Sequence, residues 1–431
     1  MSPLDPAVLG AEAHALVAEL YPICRSITGE GFRESLRRLQ RVAPITMTEV
    51  PSGTPVLDWT VPREWNIRDA YVKNSRGQRV IDFRAHSLHV VSYSVPVRAT
   101  MTLAELRPHL HSLPDYPDRI PYRTSYYQEA WGFCLAHRVL ESLPEDQYEV
   151  CIDSLLAAGS LTYGEVIIAG ARTDEILISC HSCHPSLAND NLSAMAIAAL
   201  LARTVAERAP EFTYRFLFTP GTIGSITWLA MHEAEVARIR HGLVLSCLGD
   251  GGPLTYKRSR QGNAIVDRAA AHILSQGGRQ HELLDFIPYG YDERQYCSPG
   301  YNLPVGCLTR TPNGRFPEYH TSADDLDFVK ADMLADSFHA LTGILRVLEH
   351  DAVYRNLSPK GEPQLGRRGL YEGLGSGHHP PRLEMAQLWV LNQSDGEHSL
   401  LDITERSGME FGLIQRAAAR LVNANLLARH D

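Results

Sequence analysis

Residues 178–193, which read ISCHSCHPSLANDNLS, connect two apolar segments through one polar turn. Residues 166–168 and 176–180 are typical of short buried strands, and the residues from Leu192 onward predict a helix with an apolar stripe. A strand, a turn and a helix in this order predict an α/β fold. In open α/β sheets a ligand binds where strands end and helices begin, so this turn is also the first place to look for a site.

The turn carries His181, His184 and Asp190. Neutral imidazole and carboxylate are the usual zinc ligands where chemistry occurs at the metal. The alternative is that the two histidines are ordinary turn residues and that Asp190 only caps the helix, since Asp is a preferred N-cap. The segment alone leaves these two interpretations about equally supported.

Two further predicted strand or loop ends carry residues of the same kind. Residues 243–252 (LVLSCLGDGG) predict a buried strand that ends near Asp250, and residues 316–328 (FPEYHTSADDLDF) hold His320 in a loop before a predicted helix. A metal hydrolase needs one ion held from several elements with one position left open. We therefore expect a metal site made by His181, His184, Asp190, Asp250 and His320.

The order of these motifs resembles the zinc aminopeptidase superfamily of exopeptidases and the related glutaminyl cyclases. The shared pattern is a strand-end His, an Asp in A-N-D-N-x-S, a later strand-end Asp, and Y-H-T-S-x-D. More narrowly, the whole chain is similar to a bacterial aminopeptidase-like subgroup with an inserted domain and a C-terminal winged helix. The resemblance implies a phosphorylase/hydrolase-like sandwich with a mixed central sheet.

The resemblance also implies roles for the ligands. Asp190 would bridge two metal ions, His181 and Asp250 would bind the first ion, and His320 would bind the second. His184 has no counterpart in the superfamily pattern, but it is near enough to replace or supplement His181.

One motif departs from the superfamily pattern. Superfamily members carry two consecutive glutamates, a base and a ligand, within E-E-x-G-x-x-G-S, whereas residues 214–225 read YRFLFTPGTIGS. Phe218 and Thr219 stand where the glutamates are expected, and Cys183 stands at the position of the aspartate that orients the metal-binding histidine. The departure favours one bound zinc ion over two and weakens the expectation of ordinary peptidase chemistry.

A replacement base could come from another loop. Residues 291–303 (YDERQYCSPGYNL) bring together Asp292, Glu293 and Arg294, and we expect Glu293 as the base and its two neighbours as substrate-binding residues. Glu318, two residues before His320, is the second candidate base. The alternative is a solvated or ion-paired loop.

Residues 256–262 (YKRSRQG) add two arginines to the candidate substrate site. In a strand, Arg258 and Arg260 would share one face, and such a pair could bind a carboxylate or phosphate. A basic edge strand or surface turn is an equally good interpretation.

Charge and composition exclude several functions. A formal net charge of −9 and a pI near 6.1 argue against a nucleic-acid partner or an anionic membrane, and the substrate is expected to be a small molecule or short peptide. The sequence has neither a membrane-spanning apolar run nor the features of a signal peptide at its start. Eight scattered cysteines are typical of reduced thiols, so we expect a cytoplasmic protein.

The expected organisation has three domains. Residues 1–48 and 150–352 form the α/β domain, residues 49–149 form a β-rich insertion that covers the pocket, and residues 383–431 form a winged-helix-like domain after a linker at 353–382. The candidate recognition helix lacks the basic face of a DNA reader, because Arg416 and Arg420 lie near Glu405 and Glu410. We expect a protein contact there, such as homo-oligomer formation.

Three functions remain open from the sequence. The leading hypothesis is a zinc-dependent hydrolase of the aminopeptidase type that cleaves a small amide, an aminoacyl conjugate or a short-peptide conjugate, in a specialised biosynthetic pathway. The second is a non-hydrolytic cyclase or transferase that uses the metal to polarise a carbonyl. The third is a catalytically silent metal-binding protein.

Overall fold

The computed structural model describes residues 5–371 and 382–430. Residues 372–381, which belong to the predicted linker, lie outside the described residues. The chain divides into two units, one of Met1–Asp267 with Gln280–Ala340 and the other of Arg268–Arg279 with Leu341–Asp431. None of the helices in the described ranges is long and apolar enough to cross a membrane.

The α-helices, in chain order, are α1 (Pro6–Leu20), α2 (Glu30–Leu39), α3 (Leu103–Leu106), α4 (His137–Ser142), α5 (Ala194–Ala206), α6 (Ile223–Met231), α7 (Ile265–Ser275), α8 (Glu293–Tyr296), α9 (Ala331–His350), α10 (Arg382–Gln393), α11 (Leu400–Ser407) and α12 (Phe411–Asn423). Short 3-10 turns lie at Ser87–His89, Arg107–His109, Val236–Arg238, Gln276–Gly278 and Gly366–Arg368.

The strands are β1 (Thr46–Pro51), β2 (Pro55–Val56), β3 (Trp59–Thr60), β4 (Glu64–Lys73), β5 (Arg79–Asp82), β6 (Val97–Thr102), β7 (Leu110–His111), β8 (Phe133–Cys134), β9 (Gln147–Ala157), β10 (Ser160–Ile168), β11 (Glu175–His181), β12 (Thr213–Thr219), β13 (Ile239–Leu245), β14 (Leu254–Lys257), β15 (His281–Leu284), β16 (Val305–Thr309), β17 (Val353–Asn356), β18 (Asp395–Ser399) and β19 (Leu427–Arg429).

A mixed eight-stranded sheet forms the centre of the first unit, in the order β1-β10-β12-β11-β13-β16-β14-β15. Strands β12, β11, β13 and β16 run parallel, so their carboxyl ends meet at one edge of the sheet. Every residue of β11 is buried, as expected for a strand covered on both faces. The predicted α/β fold with a mixed central sheet is confirmed.

The helix after the polar turn is α5, which begins at Ala194 after the irregular segment Ala188–Ser193. Ten of its thirteen residues are buried, so it belongs to the core rather than to an amphipathic surface. It packs against α1, whose first turn is fixed by Asp5 accepting a hydrogen bond from the Ala7 amide.

The residues between β1 and β10 build a second, antiparallel sheet in the order β5-β4-β9-β6. One segment of this region pairs with the loop that carries His320. Tyr122 donates its backbone N–H to the carbonyl of His320 over 2.8 Å, and Ile120 and Ser322 exchange hydrogen bonds. The inserted residues therefore fix part of the candidate site.

In the second unit, α10, α11 and α12 accompany the three-stranded sheet β18-β17-β19. Helix α11 starts with a capping box between Ser399 and Asp402 and ends at Gly408, whose φ of 68° suits glycine. Strand β17, which falls in the predicted linker, is the middle strand of this sheet. The predicted winged helix is confirmed.

The ion pairs of Arg215 on β12 generate a prediction about stability. This guanidinium is 4% exposed and reaches Glu175 and Glu165 over 2.7 Å each. Replacing Arg215 by Ala leaves two largely buried carboxylates without their partner, so the free energy of unfolding should fall by about 3–5 kcal/mol. Urea unfolding followed by circular dichroism measures the change.

The matched control is Arg240→Ala, because Arg240 pairs with Asp174 over 2.9 Å but is 60% exposed. It should cost at most about 1 kcal/mol. Equal losses in the two variants would contradict the assignment of Arg215 to a buried ion-pair network.

Candidate functional site

The candidate site lies at the edge of the central sheet where the parallel strands end. His181 is the last residue of β11, and β12 places Thr219 beside it in register. The polar turn that follows β11 carries His184 and Asp190, and the loop before α9 carries His320. Four of the five predicted metal ligands therefore meet at one point.

The carboxylate of Asp190 is the centre of the cluster. His181 Nε2 lies 2.7 Å from Asp190 Oδ1, while His184 Nδ1 and His320 Nε2 each lie 3.1 Å from Asp190 Oδ2. Donor atoms of His181, His184 and Asp190 all lie within 4.8 Å of one another, which is the spacing of a metal-ligand group. His320 is 33% exposed and forms the solvent-facing side of the cluster.

The turn itself is held by side chains of the A-N-D-N-x-S motif. Asn191 donates to the carbonyls of His181 and Leu245 over 3.0 and 3.1 Å, and its Oδ1 accepts the backbone N–H of Cys247. Ser193 accepts a hydrogen bond from the Leu248 amide. The motif thus ties the turn after β11 to the loop after β13.

Asp324, the last residue of Y-H-T-S-x-D, fixes the other side of the turn. Its carboxylate accepts the backbone N–H groups of Asn189 and Asp190 over 2.6 and 3.0 Å, and it is fully buried. The sequence motif contained this residue, but its role as an acceptor for the turn depends on tertiary contact and was not predicted.

The protonation states suit metal binding. Burial lowers the pKa of His181 to about 4 and also lowers the pKa of His320, despite the opposing effect of Asp190. Burial alone would raise the pKa of Asp190, but His184, His181 and His320 hold it well below its usual range. At neutral pH the imidazoles of His181 and His320 are therefore neutral beside the ionised carboxylate of Asp190.

Three tyrosines that the sequence interpretation missed surround the cluster. The ring of Tyr291 stacks on His181 at 3.8 Å, and the ring of Tyr319 stacks on His320 at 3.9 Å. Tyr122 meets His320 edge-on at 5.0 Å. Tyr291 and Tyr319 stood inside the quoted motifs, so their presence could have been noted, whereas nothing in the sequence pointed to Tyr122.

Phe218 and Thr219, which the resemblance matches to the superfamily glutamates, are the last two residues of β12. Phe218 is fully buried and pairs with Cys180 across the sheet. The hydroxyl of Thr219 is buried and finds no hydrogen-bond partner among the described residues. A Cβ at Gly221 would lie 2.9 Å from the Cβ of His181, so this close approach requires glycine.

Asp250 does not join the cluster. Its two oxygens accept hydrogen bonds from Thr311 Oγ1 (2.6 Å), the Gly252 amide (2.8 Å) and Asn189 Nδ2 (3.0 Å). Strand β13 ends at Leu245, five residues earlier than the aspartate, so the intervening loop carries Asp250 away from the strand end. The structure gives it a contact with Asn189 of the polar turn, and its role as a metal ligand stays a prediction.

The predicted base Glu293 is engaged with its own loop. It is 1% exposed, pairs with Lys257 and accepts the Tyr291 backbone N–H over 3.1 Å. Its neighbour Asp292 accepts a hydrogen bond from Ser225 over 2.7 Å, and its second oxygen has no partner in the described ranges. Burial, together with Glu293, raises the pKa of Asp292 to about 7, against the opposing effect of Ser225.

The remaining candidates lie outside the cluster. Glu318 approaches Arg119 at 3.6 Å, and Arg294 follows Glu293 in α8. Strand β14 ends at Lys257 and runs antiparallel to β16. Arg258 and Arg260 therefore follow the strand at the opposite edge of the sheet from His181, where they contact Gly262 and Asn302. Their role in substrate binding stays a prediction.

The fold and the His-Asp cluster at the sheet edge define an aminopeptidase-like protein. The structure of BSAP, a zinc aminopeptidase from Bacillus subtilis, is similar over 79% of this chain and 95% of that chain, with a TM-score of 0.59 and 11% identity. The chain belongs to the family described as domain of unknown function DUF4910, which residues 14–351 match. Residues 352–429 match a winged helix-turn-helix family.

Two relatives resemble the chain over nearly its whole length. A putative polysaccharide biosynthesis protein with aminopeptidase-like domain, from Clostridium acetobutylicum, is 51% identical over 97% of this chain and 96% of its own. The crystal structure of a putative peptidase from Clostridium acetobutylicum has a TM-score of 0.94 and 49% identity, and covers 98% of this chain and 97% of that chain. The predicted resemblance to zinc aminopeptidases is confirmed at the level of the fold.

The contacts of Asp324 predict that its substitution lowers both the stability of the protein and the metal affinity of the cluster. Asp324→Ala leaves the buried amides of Asn189 and Asp190 without acceptors, which should cost about 1–3 kcal/mol of unfolding free energy for each amide. If the cluster holds zinc, the lost support of Asp190 should also lower zinc affinity about 10–100-fold. Denaturant unfolding and competition with a zinc-binding dye measure the two effects.

The control is Asp327→Ala at an exposed position three residues along; an Asp324 variant as stable as that control would contradict this role.

Proposed function

We propose that this chain is a zinc-dependent hydrolase of the aminopeptidase type that cleaves a small amide, an aminoacyl conjugate or a short-peptide conjugate. The observation that carries the proposal is the convergence of three imidazole nitrogens, from His181, His184 and His320, on the buried carboxylate of Asp190. The position of His181 at the end of β11 supports the proposal, because ligands in open α/β sheets bind where the strands end.

The residues present fit a zinc ion. Imidazole and carboxylate are the ligand types that zinc takes, and His181, His320 and Asp190 have the protonation states that ligands require. His181, His184, Asp190 and His320 would hold one ion, since Thr219 replaces a further ligand expected from the superfamily. When bound, zinc would supply Lewis-acid chemistry for amide hydrolysis.

The walls of the site support a small substrate. His181, His184 and Asp190 are buried, whereas His320 is 33% exposed, so a substrate would approach past His320. The ring of Tyr122 makes T-shaped contacts with His184 and His320, and its hydroxyl lies 2.9 Å from that of Tyr126. The name of the Clostridium relative joins an aminopeptidase-like domain to polysaccharide biosynthesis, which supports a specialised biosynthetic substrate.

A catalytically silent metal-binding protein is the second candidate. The observation that favours it is the donor count, because three histidines and one aspartate can fill a four-coordinate zinc shell, as in structural sites. Catalysis would require the ion to accept a further ligand beyond these four, and the exposed side of the shell at His320 is where that ligand would enter. Measurement of zinc content together with turnover distinguishes the two candidates.

Substitution of His320 tests the proposed function. Protein purified without chelator should contain zinc and hydrolyse members of a panel of aminoacyl amides, and removal of zinc by a chelator should abolish turnover. His320→Ala should lower kcat by at least about 10²-fold, because the ion would lose its solvent-facing ligand.

His137→Ala is the matched control, because His137 is 23% exposed and contacts Ser112 away from the cluster. It should retain activity. Zinc at full occupancy without turnover of any amide would favour the silent candidate, and wild-type protein without zinc would rule out both.

Substitution of Glu293 tests its proposed role as base. Glu293→Gln should retain zinc and lower kcat by about 10²–10⁴-fold if the carboxylate accepts a proton during the reaction. Lys257→Met removes the ion-pair partner but leaves the carboxylate, so it should cost far less. Equal losses in the two variants would assign Glu293 to holding the loop, and unchanged kcat in Glu293→Gln would leave Glu318 as the candidate base.

A further inference from the structure

The hydroxyl groups of Tyr291 and Tyr319 meet beside Asp190 at the candidate site, and the proposed function does not use them. The hydroxyl of Tyr291 lies 3.2 and 3.4 Å from the two oxygens of Asp190. The hydroxyl of Tyr319 lies 3.1 Å from that of Tyr291. Each ring lies flat on a histidine of the cluster, with interplanar angles of 4° and 14°.

The charge of Asp190 sets the direction of these hydrogen bonds. An ionised carboxylate only accepts, so Tyr291 donates to Asp190, and the oxygen of Tyr291 is left to accept from Tyr319. The two distances to Asp190 are longer than the 2.5–2.7 Å typical of a hydroxyl bound to a carboxylate. The hydrogen bonds from Tyr291 to Asp190 are therefore long, whereas the stacking of the Tyr291 ring on His181 fixes the position of the hydroxyl.

Metal binding would change the partner of Tyr291. If Asp190 uses its oxygens as metal ligands, the phenol keeps its place against His181 but loses much of its acceptor. A donor fixed beside a metal site in this way can bind an oxygen on which negative charge develops, and tyrosine hydroxyls serve this purpose in enzymes.

We propose that the Tyr291 hydroxyl donates a hydrogen bond to the carbonyl oxygen of the amide substrate as charge develops on it, and that Tyr319 positions Tyr291 by donating to its oxygen. This inference rests on the proposed hydrolase function. In the hydrolysis, a bond forms between the oxygen of water and the carbonyl carbon, the carbon–nitrogen bond breaks, and a proton from water leaves with the amine. Both phenols keep their protons throughout.

The loss of the superfamily glutamates makes such a donor more important. Phe218 and Thr219 supply no carboxylate to accept a proton from water. A donor that stabilises the charge on the carbonyl oxygen also lowers the activation barrier of hydrolysis. One donor of this kind contributes about 10²–10³-fold to kcat.

Binding of a tetrahedral analogue tests the inference without turnover. The probe is 1-aminoethylphosphonate, with alanine as its planar counterpart, titrated into zinc-loaded protein by calorimetry. Tyr291→Phe should weaken phosphonate binding at least about tenfold and leave alanine binding and zinc content unchanged. Tyr319→Phe should have a smaller effect, and the double variant should match Tyr291→Phe, because Tyr319 acts through Tyr291.

The control is Tyr289→Phe, a tyrosine in the same loop that is 69% exposed, and it should bind both probes as the wild type does. Equal phosphonate affinity in wild type and Tyr291→Phe would overturn the inference, as would a zinc-loaded wild type that binds no phosphonate. Loss of zinc in Tyr291→Phe would also overturn the inference, because the phenol would then be required for zinc binding. Wild-type protein without zinc refutes the proposed function itself, and metal analysis before titration separates that failure from the others.

Discussion

The negative charge of a buried carboxylate needs hydrogen-bond or charged partners inside the protein. Asp190 has such partners only because several elements of the fold converge on it. It is fully buried, and an isolated ionised group there would be strongly destabilising. Imidazoles from the turn and from the loop before α9 surround its oxygens, and Asp324 accepts its backbone N–H. Each of these contacts requires the other elements to be in place, so the cluster and the local fold specify each other.

The same constraint explains what the insertion contributes. His320 lies on a loop outside the sheet, and its backbone has a φ of 56°, so the loop needs support from elsewhere. Tyr122 and Ile120 supply it by pairing with His320 and Ser322. The inserted region therefore acts on the site through backbone hydrogen bonds, and its removal would affect the position of His320 directly.

The sequence predicted those parts of the site that local pattern controls. A polar turn between an apolar strand and an apolar helix placed His181 and Asp190 correctly, because a strand end and a helix start are local features. It did not predict that Asp250 turns toward Thr311, since that depends on where β13 ends. Nor did it predict on which edge of the sheet Arg258 lies, because strand direction in a mixed sheet is a tertiary property, and β14 runs opposite to β16.

The replacement of two glutamates changes the balance of donors and acceptors at this edge of the sheet. Thr219 stands beside His181 with a hydroxyl that has no partner among the described residues, while Tyr291 and Tyr319 add two donors. Asp292 retains an unpartnered oxygen in the described structure, but it belongs to the loop held by Ser225. A site that loses proton acceptors and gains fixed donors is better suited to stabilising charge on a carbonyl oxygen than to activating water strongly. Under the proposed hydrolase function, such a site would favour substrates whose carbonyl carbon is already reactive, and an activated amide conjugate meets that condition better than an ordinary peptide bond.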